Sequence, residues 1–251
     1  MGPLKSTASR LKHLIADNRR ELGLALTDDP EVGWFSPVVA LQREQVLPFL
    51  RRFAQGRLLD VGAGTVPLRE ALSAAVDTYQ TLDIERRTEN IDFIGDLQDL
   101  SGVIGSESFD TVMALEVLEH IPDSRKALAE IFRILAPGGV ALISVPHLSR
   151  LHEEPHDYYR FTQYGLRHLF EQAGFEVLEV APIGGLFSFL GHQVSLLTSG
   201  TTWHVSGLNQ MVLQLNKWLV SKPAIWIDSK TTQEKFPLGY LLAARKPVRL
   251  A

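Results

Sequence analysis

From Arg57 to the end of the chain, short apolar runs alternate with helical patterns, and this alternation restricts the fold more than any other feature. Leu58-Leu59-Asp60-Val61 has the length and composition of a buried strand. Val76 to Ile84 contains a second strand, Ile91 to Ile94 a third, Phe109 to Leu115 a fourth and Val140 to Val145 a fifth. Asp123 to Leu135 reads as a helix, because Leu128, Ile131, Phe132 and Leu135 recur at i, i+3, i+4 and i+7. Pro137-Gly138-Gly139 is expected to stop it and turn the chain. Thr162 to Ala173 predicts the next helix, ended by Gly174. Phe175 to Val180 and Tyr240 to Ala244 are expected as the sixth and seventh strands. Such alternation predicts an α/β fold, a mostly parallel sheet with helices on both faces.

The first strand runs into Val61-Gly62-Ala63-Gly64-Thr65. Glycines here let the chain turn sharply and let a ligand approach the main chain. A dinucleotide fingerprint needs a third glycine three residues after Gly64, and that position holds Pro67. Asp60 at the strand end would repel a pyrophosphate and attract a cation. A nicotinamide oxidoreductase is therefore disfavoured, and an amino-acid-bearing sulfonium cofactor is favoured.

Together with these residues, four further segments resemble the class I S-adenosylmethionine-dependent methyltransferases, in particular their type 11 branch. Leu82-Asp83-Ile84 ends the second strand and Gly95-Asp96-Leu97 follows the third. Phe109-Asp110 leads to Leu118-Glu119-His120-Ile121-Pro122-Asp123, and Arg133 to Gly139 leads into the fifth strand. The resemblance covers about residues 50–181 and a last strand near 238–246. It implies a Rossmann-like seven-stranded sheet with the last strand antiparallel, and S-adenosylmethionine as cofactor. It assigns the methionine end of the cofactor to Asp60, Gly62 and Gly64, the ribose to Asp83 with Ile84 beside it, and the adenine side to Asp96 and Leu97. Leu115 joins this cofactor-binding set. Helix capping and strand-end roles compete for Asp83 and Asp96.

Glu116, Glu119 and His120 lie just beyond the fourth strand. Two carboxylates and an imidazole within five residues suit a divalent cation such as magnesium. The E-x-x-E-H pattern resembles that of metal-dependent small-RNA 2′-O-methyltransferases and ubiquinone-pathway O-methyltransferases, whose sites take a further histidine from beyond the fifth strand. His147, His152 and His156 are available there. A structural turn is the competing reading of the same residues.

The segment 150–161 follows the fifth strand, where open α/β sheets place ligand chemistry. His147, His152 and His156 are candidate catalytic bases for a hydroxyl acceptor. Tyr158 and Arg160 are candidate substrate contacts, by stacking and by binding a carboxylate or phosphate. Asp157 and Arg160, three residues apart, can instead pair and fix the loop, and Thr162 suits the N-cap of the next helix.

The remaining residues form additions to the core: an N-terminal helical segment over 1–55 and a helical insertion over 182–235, around a core of 56–181 and 236–251. Leu11, Leu14, Ile15, Leu22 and Leu26 predict two helices before a turn at Thr27–Gly33, and Val38 to Leu50 gives a second apolar face. Trp34, Phe35 and Arg43 are candidates for a wall of the site. No Asp, Glu, Lys or Arg occurs in the 37 positions 180–216, although 22% of the chain is charged. This insertion reads as a lid over the acceptor, as a homodimer face, or as a membrane-surface element. The last is disfavoured because interfacial helices usually carry Lys and Arg.

Composition excludes several classes. With 45% hydrophobic residues in 251, the chain is globular rather than disordered. A net charge of −4 argues mildly against nucleic acid as a partner. No cysteine is present, which rules out disulfides and thiolate chemistry. Met1 to Arg20 lacks the apolar stretch of a signal peptide, no apolar run is long enough to span a membrane, and a cytoplasmic location is expected. The expected function is methyl transfer to an oxygen, in preference to a nitrogen, of a small-molecule or saccharide acceptor. The rivals are a non-catalytic binding protein of the same fold and a metal-assisted nucleic-acid 2′-O-methyltransferase.

Overall fold

The computed structural model describes residues 36–64, 68–86, 88–202, 207–231 and 235–248. The expected helices before Gly33, with Trp34 and Phe35, lie outside the described residues, as does the side chain of Arg43. The chain divides into two compact units. One carries the sheet and comprises Gln45–Ile183 with Pro237–Ala251; the other is helical and includes Gly184–Phe236.

Seven strands build the sheet: β1 Arg57–Val61, β2 Thr78–Asp83, β3 Phe93–Ile94, β4 Phe109–Leu115, β5 Leu135–Pro146, β6 Glu176–Ile183 and β7 Gly239–Arg245. Their order is β3-β2-β1-β4-β5-β7-β6. β1 to β5 run parallel, and β7 is antiparallel to both β5 and β6. The order reverses between β1 and β4. In open α/β sheets this switch point opens a crevice at the carboxyl ends of the strands.

The run Val140–Pro146 of β5 is buried throughout, paired with β4 on one side and β7 on the other. The helices of this unit are α2 Leu47–Phe53, α3 Arg69–Leu72, α4 Ser124–Ile134 and α5 Gln163–Gln172. α4 buries Ala127, Leu128, Ile131 and Ile134 on one face, and Asp123 caps it by accepting from the Lys126 N–H at 3.3 Å. Thr162 caps α5 through Gly165 N–H at 3.1 Å. α5 delivers Leu166 and Phe170, both fully buried, to the core.

Three boundaries differ from the sequence reading. α4 ends at Ile134, and β5 begins at once with Leu135, so Pro137-Gly138-Gly139 lies inside a strand. The pairing with β4 shifts register there, between Phe109 and Thr111, and the glycines carry the irregularity. A Cβ on Gly139 would meet Ala136 O at 2.9 Å and Asp110 O at 3.0 Å. β3 is only Phe93–Ile94; the Asp92 carboxylate accepts from both N–H and O–H of Thr81 instead of continuing a ladder. β6 extends to Ile183 because β7 pairs with it that far.

The helical unit contains α1 Pro37–Leu41, α6 Leu186–Thr202, α7 Leu208–Leu215 and α8 Lys222–Lys230. A π-helical stretch, Asn216–Ser221, joins α7 to α8 into one continuous helix. Asp228 accepts from Phe187 N–H and Ser188 N–H, satisfying donors at the start of α6. Among the described residues, no helix is long and apolar enough to cross a membrane.

Candidate active site

The loop after β1 is held open by its glycines. Gly62 has φ +67° and Gly64 φ +54°, a region that L side chains rarely adopt. A Cβ on Gly62 would lie 2.6 Å from Val117 Cγ2, whereas a Cβ on Gly64 would point into open space. Gly62 N–H donates to Leu82 O at 2.8 Å and Gly64 N–H to Asp83 Oδ2 at 3.0 Å. The other Asp83 oxygen accepts from Ile84 N–H at 2.8 Å. The loop thus hangs on the end of β2, with the Asp83 carboxylate under it. Ile84 itself is 65% exposed, an apolar surface beside that carboxylate.

Asp60 is buried at the end of β1 and accepts a hydrogen bond from the Tyr79 hydroxyl at 2.5 Å. Burial raises its carboxyl to about 7; the Tyr79 bond pulls it down, Asp83 pushes it up and Arg69 pulls it down. The resting site therefore holds a carboxyl poised near neutrality rather than a permanent anion. Asp96 is exposed and accepts from the backbone and side-chain amides of Gln98. Gln98 in turn accepts from Asp123 N–H at 3.2 Å, which ties this turn to the start of α4. Leu97 is buried and Leu115 half-buried.

Beyond β4 the chain passes Glu116 with φ +54°, a strained conformation for a non-glycine residue. Ser144 on β5 holds it: Glu116 N–H donates to Ser144 O at 3.0 Å, and Ser144 Oγ donates to Glu116 Oε1 at 2.7 Å. Glu116 meets solvent on one side but is closely surrounded by protein on the others. That surrounding, with the charge of Glu119, raises its carboxyl above the usual range.

Glu119 sits on a single 3-10 turn, Leu118–His120, and is fully buried. Neither of its carboxylate oxygens has a hydrogen-bond partner. Two imidazoles face it: His120 Nε2 and His152 Nε2 each lie 3.7 Å from Glu119 Oε1, too far for a hydrogen bond. The two rings meet edge to face at 4.7 Å. Each has its other nitrogen engaged. His120 Nδ1 lies 2.8 Å from His156 O, and His152 Nδ1 lies 3.3 Å from Arg150 O and 3.5 Å from Asp157 Oδ2. Those acceptors favour the N–H on Nδ1 and leave the Nε2 lone pairs directed at Glu119. The three residues offer one oxygen and two nitrogens, all within 4.8 Å of one another. A buried carboxylate without a hydrogen bond is costly, so this triangle fits a divalent cation. The His contacts on the far side are the kind that orient metal ligands. Glu119 also raises the His152 pKa, against the lowering effect of burial.

The loop 150–161 is laid over this turn. Tyr158 and Tyr159 donate their backbone N–H groups to Glu119 O at 2.8 and 3.3 Å, and the Tyr159 hydroxyl donates to Pro122 O at 2.6 Å. Arg160 grips Asp157 with both terminal nitrogens and also reaches Ser149 O, Arg150 O and Tyr159 O. All five guanidinium donors are thereby used within the loop. Asp157, held well below the usual carboxylate range chiefly by Arg160, also accepts from His152 N–H at 2.9 Å. His147 lies apart, with Nδ1 2.9 Å from Phe161 O and its ring 5.4 Å from Tyr240. His156 is exposed, 3.1 Å from the Tyr158 hydroxyl.

The structure thus brings together Glu119, His120 and His152 and turns Glu116 toward Ser144. Tyr79 and Ser144 escaped the sequence reading, since a hydroxyl on a strand carries no motif. Asp157 was visible there as a partner of Arg160, by its three-residue spacing, but not as a support for His152.

A sheet with this strand order, a glycine loop after β1 and acidic ends on β1 and β2 defines a class I methyltransferase core. Residues 11–180 match the model of the methyltransferase domain family. The chain belongs to this family, in its class I S-adenosylmethionine-dependent form. It is 30% identical over 172 residues to a nonribosomal peptide synthetase, CymA, of Salinispora arenicola, covering 57% of this chain and 2% of that protein. It is 28% identical over 122 residues to a ubiquinone biosynthesis O-methyltransferase of Saccharophagus degradans, covering 43% of this chain and 51% of that enzyme. The chain thus spans about half of that O-methyltransferase and a small fraction of the synthetase. Among solved structures, the [4+2]-cyclase SpnF superposes with a TM-score of 0.56 at 20% identity, over 84% of this chain and 82% of that one. At that identity the likeness concerns the fold alone.

Proposed function

We propose that the protein transfers a methyl group from S-adenosylmethionine to an oxygen of a small-molecule or saccharide acceptor, with a divalent cation at Glu119, His120 and His152. Family membership supports the cofactor, and the named activity of the Saccharophagus enzyme is consistent with an oxygen acceptor. The observation that carries the oxygen reading is the buried Glu119 carboxylate, without a hydrogen bond and faced by two imidazole nitrogens. When bound, S-adenosylmethionine supplies an electrophilic methyl and the cation lowers the pKa of a hydroxyl held beside it.

The chain's residues supply the rest. Gly62 and Gly64 leave the main chain open to the cofactor, whose ammonium and sulfonium Asp60 favours. Asp83 accepts from the ribose hydroxyls, and the exposed Ile84 gives the adenine an apolar bed. Two imidazoles and one carboxylate suit zinc, iron or another transition metal better than magnesium, which prefers oxygen alone. With Nε2 turned to the cation and Nδ1 to Asp157, His152 acts as a ligand and not as a proton shuttle. His156 and His147 remain to accept the proton of the acceptor hydroxyl. Tyr158, 44% exposed, offers a ring against the acceptor, while Arg160 acts by holding the loop. Alignment of the reacting atoms supplies much of the rate in such a transfer.

Titration calorimetry with S-adenosylmethionine and S-adenosylhomocysteine tests the cofactor reading; no binding of either at millimolar concentration would refute it. Cobalt(II) absorption titration tests the cation separately. Glu119→Gln should lower cobalt affinity at least a hundredfold and leave S-adenosylhomocysteine binding in place. Wild-type protein that takes up no cobalt would remove the cation and leave the cofactor reading standing.

A further inference from the structure

The continuous helix formed by α7, the π-helical stretch and α8 exposes one apolar face. Leu208, Met211, Leu215, Trp218, Leu219 and Trp226 recur mostly at three- and four-residue steps, the spacing of one helix face. All six are exposed, reaching 58% at Trp218, 69% at Leu219 and 64% at Trp226. Single exposed apolar residues are ordinary; a contiguous row this long marks a surface built to meet something apolar.

The charges of the same unit indicate what that is. From Gly184 to Phe236 the sequence holds four lysines, at 217, 222, 230 and 235, against two acids, at 228 and 234. Asp228 is committed to the start of α6 through Phe187 N–H and Ser188 N–H. Lys222 Nζ lies 3.7 Å from the centre of the Trp218 ring, and Lys217 Nζ 5.9 Å from it. The cations therefore flank the apolar row itself, in a chain whose net charge is −4. Leucines and a methionine in one row with two tryptophans, with lysines beside them, is the composition of an element lying in a bilayer interface. A two-fold contact between copies would bring like charges together around Trp218. The charge-free count of the sequence stops at 216, so it misses the lysines that the continuous helix places next to that stretch.

We propose that this helix docks the protein on an anionic phospholipid surface, with Trp218, Leu219 and Trp226 entering the interface and Lys217 and Lys222 contacting lipid phosphates. The proposal is independent of the reaction assigned to the sheet-bearing unit. Each lysine near an anionic leaflet should strengthen binding about fivefold.

The 251-residue chain is floated with vesicles of phosphatidylcholine alone or with ~30% phosphatidylglycerol, a composition chosen so that lysines near the surface gain a measurable attraction. The expected result is recovery with the anionic vesicles and little with the neutral ones. Lys217→Glu with Lys222→Glu should weaken anionic binding at least tenfold. Trp218→Ser with Leu219→Ser should abolish it, while S-adenosylhomocysteine affinity and melting temperature hold. Should that variant fold poorly, quenching of wild-type tryptophan fluorescence by brominated lipid reads insertion directly. Absence of binding and quenching with the wild type overturns the proposal. So does a dimer in sedimentation equilibrium that the serine variant dissociates, which would make the face a contact between copies.

Discussion

The Asp60 carboxyl should make cofactor binding depend steeply on pH. Its folded value lies near 7, above the ordinary 3.8, so in the free protein it is half protonated at neutrality. The groups facing it are Tyr79, which donates to it, Asp83, which repels its charge, and Arg69, which attracts it. A ligand bearing an ammonium favours the ionised form. Below pH 7 that form must first be generated, at about 1.4 kcal/mol per pH unit. S-adenosylhomocysteine should thus bind roughly thirtyfold more weakly at pH 5.5 than on the plateau above 8. Tyr79→Phe removes a hydrogen bond to a charged acceptor, worth about 1.5–3 kcal/mol, and should move the midpoint up by roughly one to two units. At pH 7.5 the variant should bind about tenfold more weakly than wild type, and the gap should narrow as pH rises. Without ligand the sign reverses. A carboxyl raised by burial costs stability when ionised, so the free protein should lose stability as the pH rises from 4 through 7. Calorimetry from pH 5.5 to 8.5 reads the first effect, and urea unfolding over the same range the second. A flat binding profile, or a Tyr79→Phe midpoint displaced downward, would refute the reasoning.

Three further outcomes follow from the geometry. Arg160→Ala frees Asp157 and unties the loop beneath His152, so cobalt affinity should fall about 10–100-fold with S-adenosylhomocysteine affinity kept; an unchanged cobalt titration would contradict the support role. Gly62→Ala should abolish cofactor binding and destabilise by about 1–3 kcal/mol, because its Cβ meets Val117 in a left-handed backbone, whereas Gly64→Ala carries only the backbone cost of about 1–2 kcal/mol; equal unfolding midpoints for the two would contradict this. Phe170→Ala empties a fully buried site on α5 and should cost about 3–5 kcal/mol in urea unfolding, without changing the ratio of cofactor to cobalt affinity.

Much of the fold was legible in the sequence because its signals are local. Most strands contain a short apolar run, α4 repeats its apolar residues every three or four positions, and the glycine loop needs backbone freedom that one residue type supplies. The antiparallel seventh strand was legible only through family resemblance, since nothing within 240–244 encodes which strands it pairs with. Boundaries were less legible. The Pro137-Gly138-Gly139 cluster is punctuation in sequence, but β4 offered it a partner and it became the irregular start of a strand.

The sequence alone determined a parallel α/β sheet, an open loop between Gly62 and Gly64, carboxylates at the ends of β1 and β2, and an insertion before the last strand. These depend on neighbours a few residues apart. The tertiary structure decided which groups act together. Glu119 and His152 stand 33 positions apart in the chain and 3.7 Å apart in space. Glu116, three residues from Glu119, is held by Ser144 and does not share the triangle, although it lies close enough for the Glu119 charge to raise it. Asp60 becomes a titrating group only because burial and Asp83 outweigh the hydroxyl that Tyr79 contributes from the next strand. Protonation and metal affinity depend on distance and dielectric surroundings, and folding alone sets both.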